Sequence, residues 1–406
     1  MRALSISLIL ITIIVTSSFG GIIDWFGGNF SENGSLSDDA KKLIETAFEG
    51  LDRKNIVDCH IHILGVSEEQ SGCYANPDMK SFLKSPVKHI KYLIYLSASK
   101  SRKNNVDDEY MKRLSDLIEA FNPEGKHLIF AMDKYYEKNG SANNEKTEFY
   151  VPNDYVYELS KAKEYFIPVA SVHPYRADAL DELEKLANKN IRFIKWIPNC
   201  MGIDPSDTDI IPFYNVMKKR GMILISHTGN EDAVEAGDNQ RFGNPQLLKL
   251  PLDCGVKVIA AHCATSGKNI DVENPDKKKA DNFDLFIRMM DNPKYKDLLF
   301  GDISAITQYN HMNKSLEILL NRTDLHCRLI NGSDYPLPGV NFLIRTNKLY
   351  RNKFIAKKEK KLLNEIYKYN PLMFDFVLKR IIKSPGFNNK FSDMIFQHNL
   401  SKIAIE

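Results

Sequence analysis

Neither sign of charge prevails in this chain. Its 55 Lys and Arg stand against 52 Asp and Glu, a formal net charge of +3 over 406 residues. The lysines are scattered, whereas a polyanion is recognised by a basic face. Nucleic acid is therefore excluded as a partner and a small-molecule substrate is favoured. The six cysteines (Cys59, Cys73, Cys200, Cys254, Cys263 and Cys327) contain no CxxC pair, which argues against a zinc knuckle, and their spacing gives no disulfide framework. Cys59, Cys263 and Cys327 fall in or beside apolar runs and are expected as buried core thiols. Cys73 and Cys200 fall in loops, where export would permit a bridge. There is no internal repeat and no low-complexity segment. A long apolar run is also missing, except for Ala3–Val15 at the start, which is short for a membrane span.

That run belongs to MRALSISLILITIIVTSSFGG, with one Arg before it and the small residues Ser18 and Gly20 after it. Residues 1–20 are expected as a secretory signal or, in the competing reading, an uncleaved membrane anchor. The expected location is accordingly exported, periplasmic or secreted, with membrane contact only through an uncleaved N-terminal segment. No Cys follows the run, so lipid attachment is not indicated. At 43% hydrophobic and 26% charged the rest is ordinary globular material. It is read as one catalytic domain over 38–382, with a tail at 383–406 and a homo-oligomer allowed.

From residue 55 onward, short β-branched runs alternate with longer helical patterns, as in repeated βα units and a parallel sheet. The strand candidates are Asn55–Ile63, Lys126–Asp133, Tyr165–His173, Ile191–Ile197, Gly221–Thr228, Gly255–Cys263, Leu298–Ala305 and Cys327–Tyr335. A ninth apolar run, Ile90–Ala98, decides the count. Ser85-Pro86 before it resembles an N-cap followed by Pro at the first helical position, and Ile90, Leu93, Ile94 and Ser97 recur at helical spacing. Read as a helix over Pro86–Ser99, it leaves eight strands. The expected fold is α/β, a (β/α)8 TIM barrel with extra N-terminal and C-terminal helices. The latter are two helices within Lys357–Ile382, covering the outside or bottom.

Chemistry-bearing residues gather at the strand ends. The first strand reads Val57-Asp58-Cys59-His60-Ile61-His62, and alternation points His60 and His62 to one face, where both can meet one ion. The fifth ends in His227, the sixth in His262 and the eighth in Ser333-Asp334-Tyr335-Pro336. Enzymes of this architecture keep their active sites at the C-terminal ends of the strands. HxH after strand one, His after five, His after six and Asp after eight together resemble the amidohydrolase superfamily, in its amidohydrolase-2 branch of metal-dependent TIM-barrel hydrolases. The resemblance spans residues 40 to 380.

It implies a divalent metal, most simply one Zn, held by His60, His62, His227 and Asp334. Asp334 would also carry a proton, and His262 would be catalytic beside the ion. Lys195, ending the fourth strand, stands where binuclear members carry a carbamylated Lys. With that modification His227 and His262 would bind a second ion; without it, its ammonium would contact substrate. His173 and Arg176 after the third strand are further candidates for substrate contact. Glu231 could orient a ligand imidazole, Asp302 ends the seventh strand, and the loop Leu64–Ser85 is the expected lid. The leading expectation is hydrolysis of a C–N or C–O bond in an amide, lactone or ester. The alternatives are a decarboxylase of the aminocarboxymuconate semialdehyde type and a catalytically silent barrel that only binds.

Overall fold

The computed structural model describes residues 34–98, 105–312 and 314–397. Residues 1–20, expected as a secretory signal or membrane anchor, and the end of the tail lie outside them. Among the described residues, no helix is long and apolar enough to cross a membrane.

All eight expected strands form. They are β1 (Val57–His62), β2 (Lys126–Phe130), β3 (Phe166–Ala170), β4 (Phe193–Trp196), β5 (Ile223–Ser226), β6 (Lys257–Ala260), β7 (Leu299–Asp302) and β8 (Leu329–Ile330). They pair in chain order as one parallel sheet. The last strand returns to the first: Cys59 N donates to Asn331 O at 2.9 Å, His62 N to Tyr335 O at 2.9 Å and Asp334 N to His60 O at 2.8 Å. The sheet is thus a closed barrel, a (β/α)8 fold with no free edge.

The run at residues 90–98 is helical, within α1 (Pro86–Ala98), which makes the eight-strand reading consistent. Helices Val106–Glu119, Asn153–Ala162, Ala179–Asn188, Ile211–Lys219, Asn282–Met290 and Lys314–Asn321 return the chain between strands. Alternation divides their contacts: Phe193, Ile223, Ile225, Ile259, Phe300 and Ile330 fill the barrel interior. Ile194, Leu224, Val258 and Leu299 face the helix layer.

In β1 the inward set changes parity. Val57 and Cys59 join the interior cluster, whereas Ile61 joins the outer one. A register irregularity between Asp58 and Ile61 makes the change, and it brings His60 and His62 to the mouth.

Helices Asp38–Phe48, Lys357–Tyr369 and Pro371–Ile381 pack on one another, and Pro371–Ile381 lies against the helix Val106–Glu119 and the turn Leu337–Gly339. Residues after 382 are packed rather than a free tail as far as the description runs. Phe391, Ile395 and Phe396 are buried, and Ile395 O and Phe396 O accept from Asn331 N and Val57 N.

Lys379 lies wholly inside the fold. Its Nζ donates to Gly332 O and to Asp375 Oδ2, each at 2.6 Å, tying the last helix to the turn that carries Asp334. Removing one partner of a buried pair strands the other charge. Lys379→Met is therefore expected to lower the unfolding free energy by about 3–5 kcal/mol, read as a shifted midpoint in urea.

All six cysteines are free thiols, so the possible bridge from Cys73 or Cys200 is not formed. Cys59 and Cys263 are buried as expected, but Cys327 is exposed. The eighth strand begins only at Leu329, and Cys327 falls on the 3-10 turn before it (Thr323–Arg328).

Candidate metal centre

Parity along the strands carries side chains from the core to the mouth. Lys195 follows Phe193 by two, His227 follows Ile225 by two and Asp302 follows Phe300 by two, all on inward rows. Two positions need backbone that L-residues seldom adopt. His262 has φ 58° and Asp334 has φ 64°, left-handed values for non-glycine residues that cluster at functional sites.

The donor atoms converge. His60 Nε2 and His62 Nε2 are 3.2 Å apart, and Asp334 Oδ1 stands 3.4 Å from the first and 3.6 Å from the second. Ligands about 2.1 Å from a tetrahedral ion lie roughly 3.4 Å from one another, so this triangle has the size of one face of such a site. His60, His262 and Asp334 also offer atoms within 4.8 Å of one another. His227 Nε2 is buried with no hydrogen-bond partner.

Hydrogen-bond accounting decides which ring nitrogens carry protons. The carboxylate of Asp302 can only accept. Ser304 Oγ donates its single proton to Asp302 Oδ1, so at 2.8 Å from His262 Nδ1 it must accept from that ring. His60 Nδ1 donates to Asp302 Oδ2 at 2.8 Å. Both rings therefore turn unprotonated Nε2 atoms inward. His227 Nδ1 lies 3.4 Å from Glu231 Oε2.

Burial keeps these rings neutral. It pulls His60 down to about 4, helped by Lys195, and His227 to about 3 in the same way; His62 and His262 fall well below the usual histidine range. Neutral imidazole is the form that binds a metal. Burial alone would raise Asp302, but His60 and the hydrogen bonds from His60, Ser304 and the His262 backbone outweigh it and hold the carboxyl at about 2. Asp334 is pushed well above the usual carboxylate range by burial, against the pull of Lys195. Lys195 lies 3.2 Å from His60 Nε2 and over the Phe130 ring, and burial lowers it to about 8.

A cavity of about 320 Å³ opens above this cluster, with His62, His227, His262 and Asp334 on its floor. Its walls differ from the expected lid. Of the loop Leu64–Ser85 only Leu64 reaches the cavity; Tyr74–Ala75 pairs with Phe149–Tyr150, and Asp107 holds Val66 N and Ser67 N to one side. The roof comes instead from Ile94 and Tyr95 of α1, from Ala233 and Val234, and from Val340 and Phe342.

His173 and Arg176 are not in the cavity wall. His173 Nε2 bonds Met201 O and its Nδ1 accepts from Tyr175 N, while Arg176 is spent on Asp133 and Asp178. They anchor the loop after β3. Sequence reasoning missed Ser304, Gln308 and His311. Ser304 lies two residues beyond Asp302 on the same row, a signal that was available; the other two lie past the strand, where no periodicity operates.

These features define a class: a (β/α)8 barrel with an imidazole and carboxylate cluster of metal-binding form at its C-terminal mouth. No protein-family model matches the chain, and no curated protein sequence matches it. Among solved structures it is similar to an uncharacterised TIM-barrel protein of Bordetella bronchiseptica (13% identity, 79% of this chain and 99% of that one covered, TM-score 0.47). It is also similar to a probable 2-pyrone-4,6-dicarboxylic acid hydrolase of Acinetobacter baumannii (11% identity, coverage 79% and 95%, TM-score 0.40). A third is 5-carboxyvanillate decarboxylase of Sphingomonas paucimobilis (11% identity, coverage 77% and 98%, TM-score 0.39). At these identities the chemistry is read from the site itself.

Proposed function

We propose that this protein is a metal-dependent hydrolase of the amidohydrolase type, acting on a C–N or C–O bond of a small molecule. The observation that carries the reading is the set of inward, unprotonated Nε2 atoms beside Asp334: two have their tautomers set by Asp302 and Ser304, and the third, on His227, is buried without a partner. From this cluster His60, His62, His227 and Asp334 suit one divalent ion, Zn²⁺ by its nitrogen and carboxylate chemistry. When bound, that ion supplies a water of near-neutral pKa and a Lewis acid for the substrate oxygen.

The chain's own residues do the rest. Asp334 takes a proton from the attacking water and returns it to the leaving nitrogen or oxygen as the bond breaks. His262, on the same rim, offers its unprotonated Nε2 as an acceptor for the attacking water. Glu231 and Asp302 keep the imidazoles oriented. In this reading Lys195 stays an unmodified ammonium against His60. A mass gain of one carbon dioxide on Lys195 would replace it with a binuclear site.

Decarboxylation of an acidic substrate is the second reading of the same site. Glu231, Asp232 and Asp334 line the cavity together with Lys91, whose Nζ donates to Asp232 O at 2.6 Å. The expected results are about one divalent ion per chain by elemental analysis, activity on neutral amides, esters or lactones, and loss of that activity on chelation with recovery on adding the ion back. Protein that holds no divalent ion, and takes none up, would sink the enzyme reading.

A further inference from the structure

Beyond the cluster on its floor and the acidic residues at Glu231 and Asp232, the cavity wall carries a further polar stretch on the loop that follows β7. There Gln308, 3% exposed, leaves its side-chain Nε2 without a partner, and Asn310 leaves Oδ1 in the same state. Both residues line the cavity, as does His311. Buried polar groups are ordinarily hydrogen-bonded, and an orphan that faces a cavity marks where a ligand supplies the missing bond.

His311 adds a defined acceptor. Thr265 Oγ1 has one proton and gives it to His262 O at 2.8 Å, so the 2.8 Å contact between Thr265 Oγ1 and His311 Nδ1 must be an N–H donation from the ring. The ring's other nitrogen, Nε2, then carries a lone pair. The His311 ring centroid is 5.6 Å from that of His262, which places the ring beside the reacting end of the cavity it lines.

Taking the hydrolase reading as its base, we infer that Gln308 and His311 form a donor–acceptor ledge and that the substrate is an uncharged, apolar secondary amide. Its N–H donates to His311 Nε2, and its carbonyl accepts from the Gln308 amide. An ester or lactone offers the carbonyl but no N–H and leaves His311 unpaired. A carboxylate likewise offers no donor and leaves His311 unpaired. A site built to bond an N–H discriminates against an analogue lacking it far better than an apolar wall discriminates by size.

The test is equilibrium binding of four matched probes to the protein as purified, followed by ligand-observed NMR: N-methylphenylacetamide, N,N-dimethylphenylacetamide, methyl phenylacetate and phenylacetate. The secondary amide is expected to bind at least about tenfold more tightly than each of the others. In His311→Phe that preference is expected to fall below about twofold with ester binding unchanged. Gln308→Leu, which leaves the Thr265 contact intact, is expected to weaken both amides and the ester.

Equal binding of amide and ester, a preference for the carboxylate, no binding of any probe, or an amide preference that survives His311→Phe would each overturn the inference. Metal content and turnover are measured on the same samples. An amide preference in protein that holds no metal and hydrolyses nothing would overturn the hydrolase reading alone. Hydrolysis with no amide preference would overturn this inference alone.

Discussion

Asp334→Asn is expected to reduce kcat/KM by about 10³-fold or more, since proton transfer by a positioned side chain contributes about 10²–10⁴ and the residue is also placed to bind the ion. The fold should survive. Asn adopts the left-handed backbone of this position more readily than Ala and keeps the side-chain volume, so Asn is the cleaner replacement. The metal-free variant should even gain stability above the ordinary Asp range. Burial raises the Asp334 carboxyl, so the folded chain holds its proton more tightly than the unfolded chain. Stability of the metal-free protein therefore falls as pH rises from the usual carboxylate value toward the raised one, and the amide removes that fall. Kinetics with metal added, together with thermal unfolding at two pH values, read both effects. Substantial residual turnover would remove Asp334 from the proton-transfer role.

The second large effect is expected at Asp302, which touches no substrate. Its carboxylate accepts from His60 Nδ1, the His262 backbone N, the Ser304 backbone N and Ser304 Oγ, all inside the fold. Asp302→Ala leaves these donors unmet, and loss of one partner of a buried ionic group costs about 3–5 kcal/mol. Asp302→Asn keeps the volume but puts an N–H₂ donor where an acceptor is needed. Its fold should hold better while metal affinity drops about 10–100-fold, the range for residues that orient ligand imidazoles. Chemical unfolding and metal titration separate the two variants. Unchanged metal affinity in Asp302→Asn would mean that the tautomers of His60 and His262 are set by something else.

Much of the fold was legible because its determinants are local. Each strand is a β-branched run flanked by turn residues, and Ser85-Pro86 ahead of Ile90 marks a helix start that separates one apolar run from eight others. The ordered His and Asp residues at strand ends were legible for the same reason, since inward and outward positions alternate with period two. What misled was reading function into position after a strand. His173 and Arg176 occupy a loop of the right kind, yet their hydrogen bonds go to Met201, Tyr175, Asp133 and Asp178. The extended loop after β1 had the length of a lid but is pinned to one side by Asp107.

The sequence by itself determined the barrel, the order of its strands and the identity of the residues at its mouth, because periodicity and strand ends are written in the local order of residues. Tertiary structure alone decided the rest. The register irregularity that swings His60 and His62 inward depends on pairing with β2, 64 or more residues downstream. The tautomers of His60 and His262 depend on one proton of Ser304 and on a carboxylate more than 200 positions from His60. The cavity roof and the ledge at Gln308 and His311 come from separate βα loops, so no window of sequence contains both sides of the contact. A hydrogen bond or a cavity wall is a relation between distant segments, and it exists only once the chain has closed.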